Sequence, residues 1–428
     1  MEQARNRMLT TSLGHAILFP PSGVLARYTF GEASMAKILE GIRVLDFGRF
    51  IACPFCGLLL ASMGAEVIRV ERPGGEADRF MGLMAPNGET FFMLTLGRNK
   101  KAITLDVHSP KGKEILETLV KRSDIIIDNF NPDAKKEMGL EYASLQKVNP
   151  RIIVASVSGF GQYGPYSHRR CFDPIAQAMS GSMSVTGFPG SPPTRESAPY
   201  VDMAAGLYAA LGTVLCLYHR DRTGVGQEVD VSLLDTAISF IGHYFSEHLV
   251  MGEPHQPVGN QTRYGAANLY QAKDGWVFLS LLTDGIWRRF LRATGMQHLE
   301  GDPRFEDDMS RYRNRDVLDP MVARWVAVRT VAEVTELLDR EGVPCGPVKT
   351  IPEAAQDPHM WVREMLVQVE HPGMGKIPLP GLALKLSETP GDVKAPAPKV
   401  GDHNEEIYCG LLGYSQHELA ELRGQGII

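Results

Sequence analysis

Apolar and polar positions alternate along the first half of the chain in short runs separated by helical stretches. "GIRVLDFG" (Gly41–Gly48) alternates and is rich in β-formers, which predicts a strand. "CGLLLASMGA" then predicts a helix, and "EVIRVERPG" (Glu66–Gly74) a second strand ending in charge and a turn. "KKAITLDV" reads as a third strand, followed by a Ser-Pro helix start and the helix "KGKEILETLVKRS". "DIIIDNF" and "RIIVASVSGFG" read as a fourth and a fifth strand. Strands alternating with helices of this length imply an α/β fold with a parallel, doubly wound sheet. Such sheets bind ligands at the carboxyl ends of their strands. The informative residues are then Arg72, His108, Asn129, Phe130 and Ser158–Phe160.

The texture changes near Gly259. "NLYQAKDGWVFLSLL" predicts a hairpin turning at Asp274-Gly275. The helical patterns "DGIWRRFLRATG" and "TVAEVTELLDREG" follow, and a Pro-rich tail leads to a last helix in "HELAELRGQGII". The expected organisation is an extension over 1–34, a large α/β domain over 35–235 and a linker over 236–259. A small α/β domain over 260–348 follows, and 349–428 returns to complete the large domain. Residues 1–34 differ in texture from the rest, and Met35 opens a natural domain start in "MAKILEGIRVLDF".

Length and charge narrow the function. A chain of 428 residues exceeds one ordinary domain. The net charge of −6 gives no general attraction to nucleic acid or an anionic membrane, so a polyanionic ligand needs a local basic cluster. The six scattered cysteines suit a reducing cytoplasm rather than a disulfide scaffold. Cys53 and Cys56 have C-x-x-C spacing, but they sit in "FIACPFCGLLLASMGA" and read as core packing. The longest apolar run, Met203–Tyr218, is shorter than a membrane span.

"PYVDMAAGLYAALG" (Pro199–Gly212) places one carboxylate, Asp202, before a run of small residues. Asp is a favoured helix N-cap, and the local pattern alone favours that reading. Against it, Ala205 stands where a capping box would put Glu or Gln, and the small residues leave room for a bulky group. There is no G-x-G-x-x-G after the first strand and no P-loop motif, so neither nucleotide fingerprint is present.

The ordered motifs resemble the class III CoA-transferases, a family that includes α-methylacyl-CoA racemase as a divergent relative. They are "LEGIRVLDFGRFIACPFCGLLLASMGAEVIRVERPGG", "RNKKAITLD", "DNFNP", "GFGQYGPY", "FDPIAQAMSG", "YVDMAAG", "RTGVGQEVDVSLLD" and "VGDHNEEI". The resemblance runs from about Leu39 to the end of the chain. It implies a Rossmann-like large domain, a smaller α/β domain and two ring-shaped chains threaded through each other. A hetero-oligomer with a homologous chain is a second possibility. It makes Asp202 the nucleophile toward an acyl-CoA thioester, which is a substrate; no permanently bound cofactor or metal is implied. A carboxylic acid acts as acceptor.

The resemblance also implies a CoA site. Its residues are Ile51, Ala52, Arg72, Leu105, His108, Asn129, Phe130, Asn131, Arg169, Arg170, Phe172 and Asp173. Other readings stay open for some of them. Arg72 is a phosphate or adenine contact, or else a surface ion pair with Glu71 or Glu76. Asn129 could be a turn residue and Phe130 core. Arg169 and Arg170, with His168, form either a polyphosphate cluster or a solvated charge run. Two departures stand out. Glu137 replaces a second arginine, leaving Lys135 or Lys136 as substitutes, and Ile51 replaces a glutamine near the acyl site. The latter points toward a larger or less polar acyl group. The racemase reading needs a histidine where this chain has Phe172.

Overall fold

The six strands β1 (Arg43–Asp46), β2 (Glu66–Glu71), β3 (Lys101–Thr104), β4 (Ile125–Asp128), β5 (Ile153–Ser158) and β6 (Glu228–Ser232) form one sheet. Every pairing in it is parallel, in the order β3-β2-β1-β4-β5-β6. That order is doubly wound, and the direction in which successive strands are added reverses between β1 and β4. The computed structural model describes residues 37–393 and 395–428. The extension expected over 1–34 lies outside the described residues.

Among the described residues, eight α-helices precede β6: α1 (Ala52–Ser62), α2 (Phe91–Leu96), α3 (Pro110–Lys121), α4 (Pro132–Met138), α5 (Tyr142–Val148), α6 (Asp173–Met179), α7 (Ser182–Val185) and α8 (Tyr200–Thr223). The alternation of the strands explains the two cores. Val44, Val67, Ile125 and Ile153 face one side, with Cys53, Leu60, Ala205 and Ala209 of α1 and α8. Leu45, Ile68, Ile126 and Val154 face the other, with Ile115 and Leu119 of α3. Tyr408, Leu419, Leu422, Ile427 and Ile428 close that second core, so the C-terminal residues pack on the same sheet. Cys53 and Cys56 are buried, and burial pushes the Cys56 thiol up to about 12. Cys53 donates to the Asp128 carbonyl at 2.9 Å, so the pair is packing.

A separate three-stranded antiparallel sheet joins β7 (Ala267–Gln271), β8 (Trp276–Ser280) and β9 (Cys345–Pro347). Trp287, Phe290, Leu318, Val322 and Leu338 give it its own core. A hairpin, β10 (Leu366–His371) with β11 (Gly375–Pro380), stands apart. No reading of the sequence foresaw it: its two prolines are atypical of strands. The strand β6 was also missed, because its register alternates with Glu228 and Asp230 and only its last residue, Ser232, is buried.

The helix α8 is long and apolar enough to cross a membrane by length and composition, yet its inner face is buried against α1 and β5. It is a core helix. The small residues of α8 serve this contact. A Cβ on Gly206 would lie 2.3 Å from the Ala52 carbonyl oxygen. Only glycine permits that approach, one turn beyond Asp202. The space that the sequence suggested for a substrate is partly filled by α1. Gly206→Ala should therefore push α1 and α8 apart and cost about 1–3 kcal/mol. Scanning calorimetry should register this as a fall of several degrees in Tm; an unchanged Tm would mean that the helices do not meet so closely.

Candidate active site

The helix α8 begins at Tyr200, after Pro199, and no local side chain caps it. Asp202 lies in its first turn and is not the cap, so the capping reading does not hold. The Asp173 carboxylate of α6 does that work: its Oδ2 accepts from the Val201 N–H at 2.9 Å and the Asp202 N–H at 3.2 Å. Asp173 is 3% exposed, and its Oδ1 accepts from the Gln177 side-chain amide at 2.5 Å. The first-turn N–H groups that usually stabilise a carboxylate are thus taken by Asp173. Among the described residues, no donor pairs with the Asp202 carboxylate. Burial, and then the nearby Asp173 charge, raise its pKa from 3.8 to about 7.

Asp202 lines a cavity of about 360 Å³ at the carboxyl ends of β4 and β5. Ile51, Ala52, Asn129, Phe130, Asn131, Arg169, Arg170 and Phe172 line it too. A second cavity of about 480 Å³, beyond β1, β2 and β3, holds Arg72, Leu105 and His108. Arg49, Phe50 and Phe130 belong to both, so the two form one cleft across the switch point of the sheet. Eleven of the twelve expected CoA-site residues thus line the cleft. Asp173 lines neither cavity and lies beneath the first turn of α8.

Local bonding sorts the open readings. Glu76 pairs with the Arg49 guanidinium at 2.9 Å and Glu71 with Arg79 at 2.6 Å, and Glu76 accepts only the Arg72 backbone N–H, at 3.0 Å, so neither carboxylate pairs with the Arg72 side chain. Among the described residues, the Arg72 guanidinium donates only to the Gly75 carbonyl, at 3.0 Å, and Arg72 is exposed. Asn129 locks two loops together: it accepts from the Arg49 N–H at 2.9 Å and donates to the Arg49 carbonyl at 2.7 Å. Asn131 caps α4 through Ala134. His168 pairs with Asp133 at 2.8 Å and leaves the basic group. Arg169 stacks on Tyr166 and Phe160, at 4.8 and 5.5 Å from the ring centroids. Among the described residues, no carboxylate pairs with Arg169 or Arg170. Lys135 does not replace the arginine missing at Glu137. It is 2% exposed, and its Nζ donates to Ser156 at 2.7 Å and Glu228 at 2.8 Å. Lys136 remains exposed on the same helix.

The sequence did not single out Arg49, Phe50 or Cys171. Phe50 has φ +63°, a strained value for a bulky residue, and its N–H is held by Asp78 at 2.9 Å. Asp78 is fixed in turn by Arg69 at 2.7 Å, and both are buried. Phe50 meets Phe172 edge-on at 5.4 Å, and Phe172 is 57% exposed. The only early signal for this loop was its place after β1. Cys171 shares the Asp202 cavity, but burial and the Asp202 charge push its thiol up to about 11. A half-buried, unpaired carboxylate at neutral titration suits nucleophilic attack, and the free arginines suit phosphates.

Comparison with known proteins agrees with this geometry. The chain matches the CoA-transferase family III across residues 39–404. It is 37% identical to a succinyl-CoA–D-citramalate CoA-transferase of Chloroflexus aurantiacus, with 91% of this chain and 98% of that one covered. It is 32% identical to a formyl-CoA:oxalate CoA-transferase of Afipia carboxidovorans, over 92% of this chain and 98% of that one. Its fold matches a CAIB/BAIF family protein from Brucella suis with TM-score 0.77 and 27% identity, covering 88% of this chain and 100% of that one. The chain belongs to the CoA-transferase family III.

Proposed function

We propose that the protein moves CoA from an acyl-CoA to a carboxylic acid through covalent intermediates on Asp202. The observation that carries this is the unpaired Asp202 carboxylate, raised to about 7, in the cleft at the switch point. Its Oδ attacks the thioester carbonyl, the C–S bond breaks, and CoA leaves as thiolate with a mixed anhydride on Asp202. The thiolate then attacks the Asp202 carbonyl carbon and expels the donor carboxylate, leaving an aspartyl thioester. The acceptor carboxylate attacks that carbon and releases thiolate. Thiolate finally takes the acceptor acyl group and frees Asp202. Each step exchanges groups of similar energy, so covalent catalysis suffices without ATP.

Arg72, Arg169 and Arg170 are the candidates for the phosphates, and Ile51, Phe50 and Phe172 give the acyl end an apolar wall. That wall favours an acyl group larger or less polar than formyl or oxalyl. The racemase alternative needs a second proton-transfer group on the opposite face. Among the described residues no histidine lines the Asp202 cavity, and the Cys171 thiol stays protonated near neutrality. An interlocked homodimer fits the exposed outer face of α8, where Leu207, Leu211, Leu215 and Tyr218 are more than half exposed.

Asp202→Asn should abolish transfer from succinyl-CoA or acetyl-CoA across a panel of acids. Intact-protein mass spectrometry should then lose the acyl or CoA adduct on Asp202, and an active Asp202→Asn variant would end this reading.

Transfer should rise with pH through about 7, because the attacking form is the carboxylate. Stability runs the other way. Asp202 binds its proton more tightly when folded, so stability falls as pH rises from the ordinary carboxylate value of 3.8 to about 7 and stays at the lower level above that. Asp202→Asn should therefore stabilise the fold at pH 8 by at most roughly 4 kcal/mol, read as a higher Tm, and leave Tm nearly unchanged below the ordinary carboxylate range.

Arg72→Ala and Arg170→Ala should raise the KM for acyl-CoA about ten- to a hundredfold while lowering turnover less. The same variants should matter little with an acyl-pantetheine that lacks the phosphates. Equal effects on both substrates would remove these arginines from the CoA site.

A further inference from the structure

Gln177 stands outside both cavities, yet every polar atom of its side chain points toward the nucleophile or the loop before it. It is 1% exposed on α6, one turn beyond Asp173. Its Nε2 donates to Asp173 Oδ1 at 2.5 Å and reaches the Glu196 carbonyl at 3.5 Å. Its Oε1 accepts from the Glu196 N–H at 2.9 Å. Glu196 lies in the exposed loop between α7 and α8. That loop is itself tied to the segment leading to the small sheet, since the Gly259 N–H donates to the Gly187 carbonyl at 2.8 Å. A continuous chain of hydrogen bonds thus runs from the loop through Gln177 and Asp173 to the N–H of Asp202.

We infer that Gln177 is a positioning residue: it fixes the Asp173 carboxylate, and through it the first turn of α8 that carries Asp202. The inference rests on the transferase reading. The physical case is that Asp173 has two oxygens and two tasks. One oxygen holds the backbone of α8, and without a donor the other leaves the carboxylate free to rotate. Rotation loosens the α8 start and moves the charge beside Asp202. The charged or titratable groups facing Asp202 are Asp173 on α6, Arg169, Arg170 and Cys171 before it, and Arg49 after β1. The other side chains lining the cavity are uncharged.

The test compares wild type, Gln177→Leu and Gln177→Glu in transfer from succinyl-CoA, with the pH profile measured for each. Gln177→Leu should lower turnover about ten- to a hundredfold, as small misplacements of reacting groups do. It should leave the KM for acyl-CoA within about twofold, since Gln177 does not touch the cleft. Its pH midpoint should fall below that of the wild type, because an Asp173 carboxylate that has lost its Gln177 donor can turn away from Asp202 and repel it less. Gln177→Glu keeps the shape and can donate to Asp173 only while protonated. Its activity relative to wild type should therefore fall as pH rises, and this variant carries the test if Gln177→Leu does not fold. A folded Gln177→Leu with wild-type turnover and midpoint, or a Gln177→Glu that tracks wild type at every pH, overturns the inference alone. A wild type that forms no adduct on Asp202 overturns the transferase reading and this inference with it.

Discussion

The site depends on one buried carboxylate doing the work of a cap from another helix. Asp173 accepts the first-turn N–H groups of Val201 and Asp202, so α8 can begin at a proline with no local cap. Two consequences follow from the same contact. The α8 start is fixed against α6, which sets where the Asp202 carboxylate emerges. The N–H groups that would stabilise the Asp202 charge are already used, and a second negative charge sits beside it. A carboxylate in that position is costly to ionise and correspondingly more basic.

The second support is the ionic frame under the other half of the cleft. Arg69 and Asp78 are buried together, and Asp78 holds the backbone of Phe50 in a left-handed conformation. Arg49, the next residue back, is clamped by Asn129 across the gap between β1 and β4. The crevice at the switch point is therefore lined by a loop with its backbone bonds specified on both sides. Strain of this kind persists only where the surroundings over-determine it, which is common at ligand sites.

How much of this the sequence displayed depends on the range of the interaction. Five of the six parallel strands announce themselves, because a buried strand is a run of β-branched residues such as "DIIID". The edge strand β6 does not, since only one of its five residues is buried and polar residues alternate along it. Asp202 was legible as a residue, but its helix position was not: the cap comes from Asp173, 29 residues earlier. The small residues of α8 were legible as an absence of side chains, but not what fills the space; Ala52 does so at Gly206. Lys135 looked available beside Glu137, and only the fold reveals that Ser156 and Glu228 have claimed it. Local propensity is written in neighbouring residues, whereas partners for buried charge are chosen by topology.

These partners also explain why the cleft can hold unfavourable chemistry without unfolding. The unpaired Asp202 and the twisted Phe50 each cost stability where they stand. Around them the parallel sheet is buried on both faces, with Ile125, Ile126 and Ile127 fully covered. The helix contact at Gly206 and the pairing of Lys100 with Asp46, both fully buried at their side chains, hold α1 under the site. A charge buried with its partner is strongly disfavoured from moving, because separation would leave both uncompensated. The stable elements thus lie below the carboxyl edge of the sheet and the strained ones on it. That division lets the first turn of α8 present a carboxylate which the rest of its surroundings would prefer to see protonated.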